Sequence, residues 1–378
     1  MQYLIWLTTT AALPPEKAWA LLARFGSGKA VFEAETDELS RVLLLTPAEK
    51  QRLKKRDLAP AQRILADCRR QGIHILSIVD EHYPQRLKAI YDPPLILYVR
   101  GELPELNDLP AIAVVGTRRC TPYGAVTAEK LAFGLSQNGV VVISGMAEGV
   151  DSAAHRGALK GGTPTIAVFG TAIDGCYPAI NGGLLRDILR HGAAVSEYPP
   201  GAKTGRGGFP RRNRIMSGLS LGVAVAEAPD KSGALITAGL ALDQGRDVFA
   251  VPGGVDAPGS AGANELIQRG AKLIRNAEDI LCEYRGVYRL SPPAQAAPVI
   301  REPVASVYAA ASKSGAISTP APASTDDPLL AALCGGPLPL EELTVRTGLS
   351  SSDLLAKLTV LELKGRVRQL PGKLFERL

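Results

Sequence analysis

Six short runs of apolar residues punctuate the middle of this chain: Ala111–Val115, Val140–Ile143, Thr165–Phe169, Ala194–Ser196, Gly222–Ala226 and Asp247–Val251. Within them apolar positions are nearly continuous rather than alternating with polar ones. A strand of that kind is buried on both faces, and helix-period segments separate several of these runs. The pattern predicts a parallel sheet covered by helices on both sides. The right-handedness of parallel crossovers makes it doubly wound, so the expected fold class is α/β.

The flanks carry other patterns. In residues 1–75, Pro15-Glu16 opens a helix through Ala18, Leu21, Leu22 and Phe25 that Gly26 ends. Thr36 with Glu38-Leu39 marks a second start, and Thr46-Pro47-Ala48-Glu49 a third, with proline in the first turn and an acid near the N-terminus. A small N-terminal helical module is expected there, joined by a connecting segment (76–110) to a sheet domain (111–285). From Gly286 to Thr325, 40 residues hold 10 Ala, 6 Pro and 6 Ser without a hydrophobic period. Such a stretch buries too little apolar surface to offset its ordering entropy and is expected as a flexible linker. In residues 326–378 a leucine-rich helix, Ser351–Glu362, follows the turn Gly348-Leu349-Ser350, and Gly365–Lys373 has the make-up of a hairpin. Helix-turn-helix followed by a hairpin predicts a winged helix.

Composition narrows the classes. With 378 residues, 46% hydrophobic and 21% charged, the chain has ample material for a core, which excludes wholesale disorder. No apolar run approaches the ~18 residues of a membrane span, and the N-terminus lacks a signal peptide's basic stretch. Five scattered cysteines without a CxxC, and four dispersed histidines, argue against a disulfide framework or a metal centre. A reducing cytoplasmic setting is expected. The net charge of +6 permits an anionic partner without requiring one.

Local charge is more informative. Several strands run into small or glycine-rich turns: Gly116-Thr117-Arg118-Arg119, Ser144–Gly149, Gly170-Thr171, Lys231-Ser232-Gly233-Ala234 and Pro252-Gly253-Gly254. Parallel strands place these turns on one sheet edge, where open amides and positive helix ends suit an anion. No GxGxxG follows the first strand and no GxxxxGK[ST] occurs, so no nucleotide fingerprint is present. Arg118 and Arg119 fit phosphate contact better than hydride chemistry. The sharpest segment is Gly205–Arg214, where Arg206, Arg211, Arg212 and Arg214 surround Phe209 without an acid. Guanidinium forks hold phosphates, and a ring stacks a base whatever its identity. That combination points to single-stranded nucleic acid. The basic run Arg52, Lys54, Lys55 and Arg56 reads first as a solvated helix face and second as a nucleic-acid contact.

Catalytic candidates are weak. Asp151 and His155 are four apart and share a helix face, but no nucleophile motif accompanies them, so capping and hydrogen bonding are the favoured roles. Glu197 and Glu227 end strands on the same edge. They are read as partners for nearby arginines rather than as a glycosidic carboxylate pair.

The ordered motifs AVVGTRRCTPYG (113–124), SGMAEGVDSAAHRGAL (144–159), TIAVFGTAIDGCYPAIN (165–181), SEYPPGAKTGRGGFPRRNRIMSGLS (196–220), EAPDKSGALITAGLALDQGRDVFAVPG (227–253) and NELIQRGA (264–271) together resemble the DprA (Smf) family of DNA-processing proteins. The resemblance implies an extended Rossmann-like domain with a SAM or helix-hairpin-helix-like N-terminal module. It implies single-stranded DNA binding without cleavage, no cofactor, homodimerisation, and delivery of incoming strands to a RecA-type recombinase during natural transformation. It assigns DNA contact to Arg118, Arg206, Phe209 and Arg246. The charge pattern adds Arg119, Arg211, Arg212, Arg214 and Lys231. The implied dimer surface lies at Asn264, Leu266, Ile267 and Ala271. Where family N-terminal modules carry a Gly-Ile-Gly hairpin, this chain has Thr10-Ala11-Ala12-Leu13-Pro14. Two other classes compete: a Rossmann-like nucleotide or phosphoribohydrolase-type enzyme, and a regulator built around the winged helix. The first would need PGGxGTxxE, whereas Pro252-Gly253-Gly254 continues Val255-Asp256-Ala257. The second would need a basic tail, whereas seven acids balance seven bases after residue 325.

Overall fold

The computed structural model describes residues 1–205, 207–288 and 290, and in the tail 332–333, 338–347, 349, 354, 357–358, 361–362, 366–370 and 374–377. It divides into two units, residues 1–301 and 302–378.

The first unit is organised by one sheet. Its strands are β1 (His74–Ser77), β2 (Ile96–Gly101), β3 (Ala111–Val115), β4 (Val141–Ser144), β5 (Thr165–Phe169), β6 (Ala193–Ser196), β7 (Gly222–Val225), β8 (Asp247–Ala250) and β9 (Lys272–Leu273). Among the described residues they lie in the order β1-β2-β6-β5-β4-β3-β7-β8-β9. The six expected strands all form and pair in parallel. The reason is visible in β3, where all five residues are buried. Ile112 and Val114 face helices Pro122–Gln137 and Val150–Gly161, while Ala113 and Val115 join the core on the opposite face.

Residues 76–110 do more than connect. Strand β2 pairs antiparallel with β6, and β1 antiparallel with β2, so the parallel sheet gains an antiparallel flank. Ile96–Val99 are buried, which covers the otherwise open edge of β6. The core also runs without a break from Trp6, Leu21 and Leu53 of the N-terminal helices through Ile78 and Tyr83 into the sheet.

The N-terminal helices follow their punctuation. Pro15–Phe25 ends at Gly26, whose φ of 83° only glycine adopts at little cost. Thr46 caps Pro47–Leu53 reciprocally with Glu49. Gln2–Thr9, Gly28–Glu33 and Ala59–Arg70 are further helices without a start signal as plain. In the basic run, Arg52 donates to the Ala11 and Ala12 carbonyls and Arg56 to those of Phe32 and Ala34. Those two cations hold chain turns together, and Lys54 and Lys55 are exposed.

The second unit shows a three-stranded sheet of Leu338–Pro339, Leu374–Arg377 and Val367–Leu370, with the helix Leu340–Thr347. Val367↔Arg377 and Leu370↔Leu374 pair antiparallel, forming the wing hairpin. Leu343, Leu354, Leu358, Val367 and Phe375 make its core. Of the expected linker, only residues 286–288 and 290 fall among the described residues.

Candidate nucleic-acid interface

The strand order reverses between β3 and β7. From β3 the chain proceeds outward through β4, β5 and β6, and from β7 it proceeds the other way. Crevices beyond the carboxyl ends of such strands are where doubly wound sheets take ligands. An open groove of about 710 Å³ lies there, walled by Gly116–Arg119 after β3 and by Pro229, Lys231–Ala234, Ile236 and Thr237 after β7. Phe209, Arg212 and Tyr177 complete it.

Close chain approach builds the groove. Thr117 N–H donates to the Glu227 carbonyl at 2.8 Å. Gly149, at φ 79°, begins the helix Val150–Gly161, and a Cβ there would meet Thr117 O at 2.5 Å. Glu227, buried, accepts from Thr121 N–H and Thr121 Oγ1 at 2.7–3.2 Å. Its carboxylate is thereby committed to the start of the helix Pro122–Gln137, favourably placed against the helix dipole. It does not partner an arginine there.

The arginines separate into distinct roles. Arg118 and Arg119 are exposed, as is Lys231 at the start of the 11-residue helix Gly233–Asp243. Among the described residues none of these three forms an ion pair. Arg118 lies over the Phe209 ring, 5.1 Å from its centroid. Phe209 is half-buried, and the Tyr177 ring stands 5.2 Å from it at 44°. Arg211 and Arg214 turn away from the groove. Arg211 Nε donates to Glu197 at 3.1 Å, while Arg214, 4% exposed, holds Asp92 and Glu197 at 2.7 Å each. Glu197 is thus an arginine partner, as expected, and those two cations are neutralised by it and Asp92. Arg246 is elsewhere altogether. It immediately precedes β8, so it sits on the amino edge of the sheet, opposite the groove, where Nη2 donates to the Arg86 carbonyl at 2.8 Å. Arg206 lies outside the described residues.

Arg212 forms part of the groove floor yet is only 5% exposed. Burial lowers its pKa to about 10, with the Asp151 charge opposing. Nη1 lies 2.9 Å from Met216 Sδ, and Nε has no protein partner. The guanidinium packs against Gly145, where any side chain would collide with it. Burial pushes the Asp151 carboxyl up, and Arg212 pulls it back down. Asp151 also accepts from Ala147 N–H at 3.3 Å.

His155 is fully buried, one helical turn from Asp151. Thr165 Oγ1 donates to the Val142 carbonyl, so it accepts from His155 Nδ1–H at 2.8 Å. Burial, reinforced by Arg212 and Arg156, depresses the imidazole pKa to about 3. Below its unfolded value of about 6.5, the unfolded chain binds a proton that the native chain refuses. Stability should therefore fall as pH drops from about 6.5 toward 3, by up to ~1.4 kcal/mol per unit. Urea midpoints at pH 7, 6 and 5 check this. A His155→Gln variant should show a flatter dependence, and equal slopes would remove His155 as the cause.

The expected dimer residues also have intramolecular roles. The Asn264 carboxamide accepts from Gly253 N–H at 3.1 Å and donates to Gly253 O at 3.2 Å. With Tyr123 Oη donating to the Pro252 carbonyl, it braces the Pro252–Gly254 turn. Leu266, Ile267 and Ala271 are half-buried and pack on the main core. Among the described residues no cluster of metal-ligating side chains occurs, and no helix is long and apolar enough to cross a membrane.

Tyr177 is an aromatic residue of the groove that sequence reasoning passed over. Its one signal was its place in the motif GCYPAIN, ahead of a proline.

A family model described as DNA recombination-mediator protein A matches residues 74–285, and one for the DprA winged helix domain matches residues 316–373. The DNA processing protein DprA of Streptococcus pneumoniae is 47% identical over 208 residues, 55% of this chain and 73% of that one. Protein Smf of Synechocystis is 35% identical over 338 residues, covering 85% and 84% of the two chains. The crystal structure of the S. pneumoniae protein superposes with a TM-score of 0.66 at 38% identity, over 75% of this chain and 98% of that chain. DNA processing protein A from Helicobacter pylori, studied for its single-stranded DNA binding mode, gives a TM-score of 0.52 at 33% identity, over 57% and 97%. With more than half of its length inside the first family model and a winged helix of the same family behind it, the chain belongs to the DprA/Smf family of DNA recombination and processing proteins.

Proposed function

We propose that this chain binds single-stranded DNA in the groove at the β3–β7 switch point and presents it to a RecA-type recombinase. One observation carries the reading: Arg118, Arg119 and Lys231 stand exposed around the Phe209 and Tyr177 rings without an ion pair among the described residues, while Arg211 and Arg214 are held by carboxylates. Free cations draw phosphates, and rings take unstacked bases. Arg206, three residues before Phe209 in the sequence, is assigned to this site as well. The resemblance to H. pylori DNA processing protein A supports the choice of ligand. We assign the work to the cytoplasm during natural transformation, and to a homodimer formed through the surface around Leu266, Ile267 and Ala271. The division into helical module, sheet domain, linker and winged helix belongs to the same proposal.

The protein performs no chemistry of its own in this reading. His155 is buried and held neutral, Glu227 holds a helix start, and Asp151 balances Arg212.

Binding of labelled single- and double-stranded oligonucleotides over a salt series tests the proposal. Single strands should bind much more tightly. Arg118→Ala and Lys231→Ala should each weaken binding and flatten the log–log salt slope by about 0.7, one single-strand counterion per lost contact. Equal affinity for duplex and single strand at matched salt, or unchanged slopes in both variants, would overturn it.

A further inference from the structure

We propose that Tyr177, rather than Phe209 alone, presents the open stacking face for a base of the bound strand, with Phe209 as the ring behind it. This rests on the reading of the groove as a single-strand site. Phe209 is half-buried and already has two neighbours, the Arg118 guanidinium 5.1 Å from its centroid and the Tyr177 ring at 5.2 Å. Tyr177 has the Phe209 ring on one side and is still 52% exposed. A base arriving at the groove therefore meets the free face of Tyr177 without displacing Arg118.

The loop that carries Tyr177 is held in place. Asn181 Nδ2 donates to the Met146 carbonyl at 2.8 Å and contacts Ser152 Oγ at 2.9 Å. On the other side Asp174 accepts from Gly201 N–H at 3.0 Å, and Ile173 N–H donates to the Tyr198 carbonyl at 3.2 Å. A ring fixed before the ligand arrives loses little rotamer freedom on binding. Ile180, three residues on in the same loop, is also 81% exposed. Rings stack on any base face, and duplex bases have no free face to offer, so the exposed ring selects for unpaired strands.

The test uses the full chain, labelled oligo-dT and an oligonucleotide carrying 5-iodouracil. Tyr177→Ala and Tyr177→Leu should each weaken oligo-dT binding about tenfold, within the range for one stacked base, with an unchanged salt slope. Tyr177→Phe should bind as the parent does. Melting curves should match, because the side chain is half exposed. Long-wavelength irradiation of the 5-iodouracil complex should leave its adduct on the peptide containing Tyr177. If the parent binds oligo-dT while Tyr177→Ala binds equally well, or if the adduct sits on Phe209, this proposal falls and the groove reading stands. If the parent fails to bind oligo-dT at all, both fall.

Discussion

Arg212→Leu is expected to lower stability at pH 7 by about 3–5 kcal/mol, the usual cost of removing one member of a buried charge pair. The side chain is 5% exposed, and its charge is what restrains the raised pKa of the Asp151 carboxyl. Without it, only hydrogen bonds such as that from Ala147 N–H oppose the effect of burial on Asp151, and the pKa moves higher. A carboxyl whose folded pKa exceeds its unfolded value contributes stability below the unfolded value, near 3.9, and loses it as pH rises through the folded one. The deficit relative to the parent should therefore be smaller at pH 5 than at pH 7. Adding Asp151→Asn to Arg212→Leu should recover part of the loss, because no uncompensated charge is left. Urea unfolding of the three variants and the parent at both pH values checks this. A single variant with the parent's midpoint at pH 7 would mean that Arg212 is not the counter-charge. Single-strand binding per folded molecule should change less than stability does, since Nε and most of the guanidinium are inaccessible.

Phe209→Ala is expected to weaken single-strand binding by about 1–3 kcal/mol, roughly 5- to 150-fold. The upper half of that range is favoured, because the ring both backs Tyr177 and seats the Arg118 guanidinium. The salt slope should hardly move, since no charge is lost. Phe209→Tyr or Phe209→Trp should keep most of the affinity. A binding isotherm beside a melting curve decides between ligand contact and packing. A several-degree drop in melting temperature with normal affinity in the folded fraction would make Phe209 a core residue instead.

Much of the frame could be read before any coordinates. The six parallel strands were legible because burial on both faces demands continuous apolar runs, and their turns had to collect on one edge. Arg118, Arg119 and Lys231 could be singled out because each is written into one of those turns, and Phe209 because arginines crowd around it in Gly205–Arg214. The winged helix was legible from its leucine period and hairpin. The antiparallel flank was not. Residues 74–101 hold two short strands, and only contact with β6 makes them part of the sheet.

The pairings and positions that local sequence left unread share a cause. Arg211 and Arg214 look like free cations within Gly205–Arg214, but Asp92 reaches Arg214 from 122 positions away and Glu197 reaches both. Arg246 follows from the same logic in reverse: the residue before a strand lies on the edge opposite the one where strands end. Tyr177 meets Phe209 across 32 positions through a loop with no periodic signal. The sequence by itself determined which segments are buried and which edge carries glycine and charge, because burial and turn chemistry are properties of neighbouring residues. Only the tertiary structure decided which cations stay unpaired and which ring faces solvent, because pairing and exposure depend on partners that loop closure brings from distant parts of the chain.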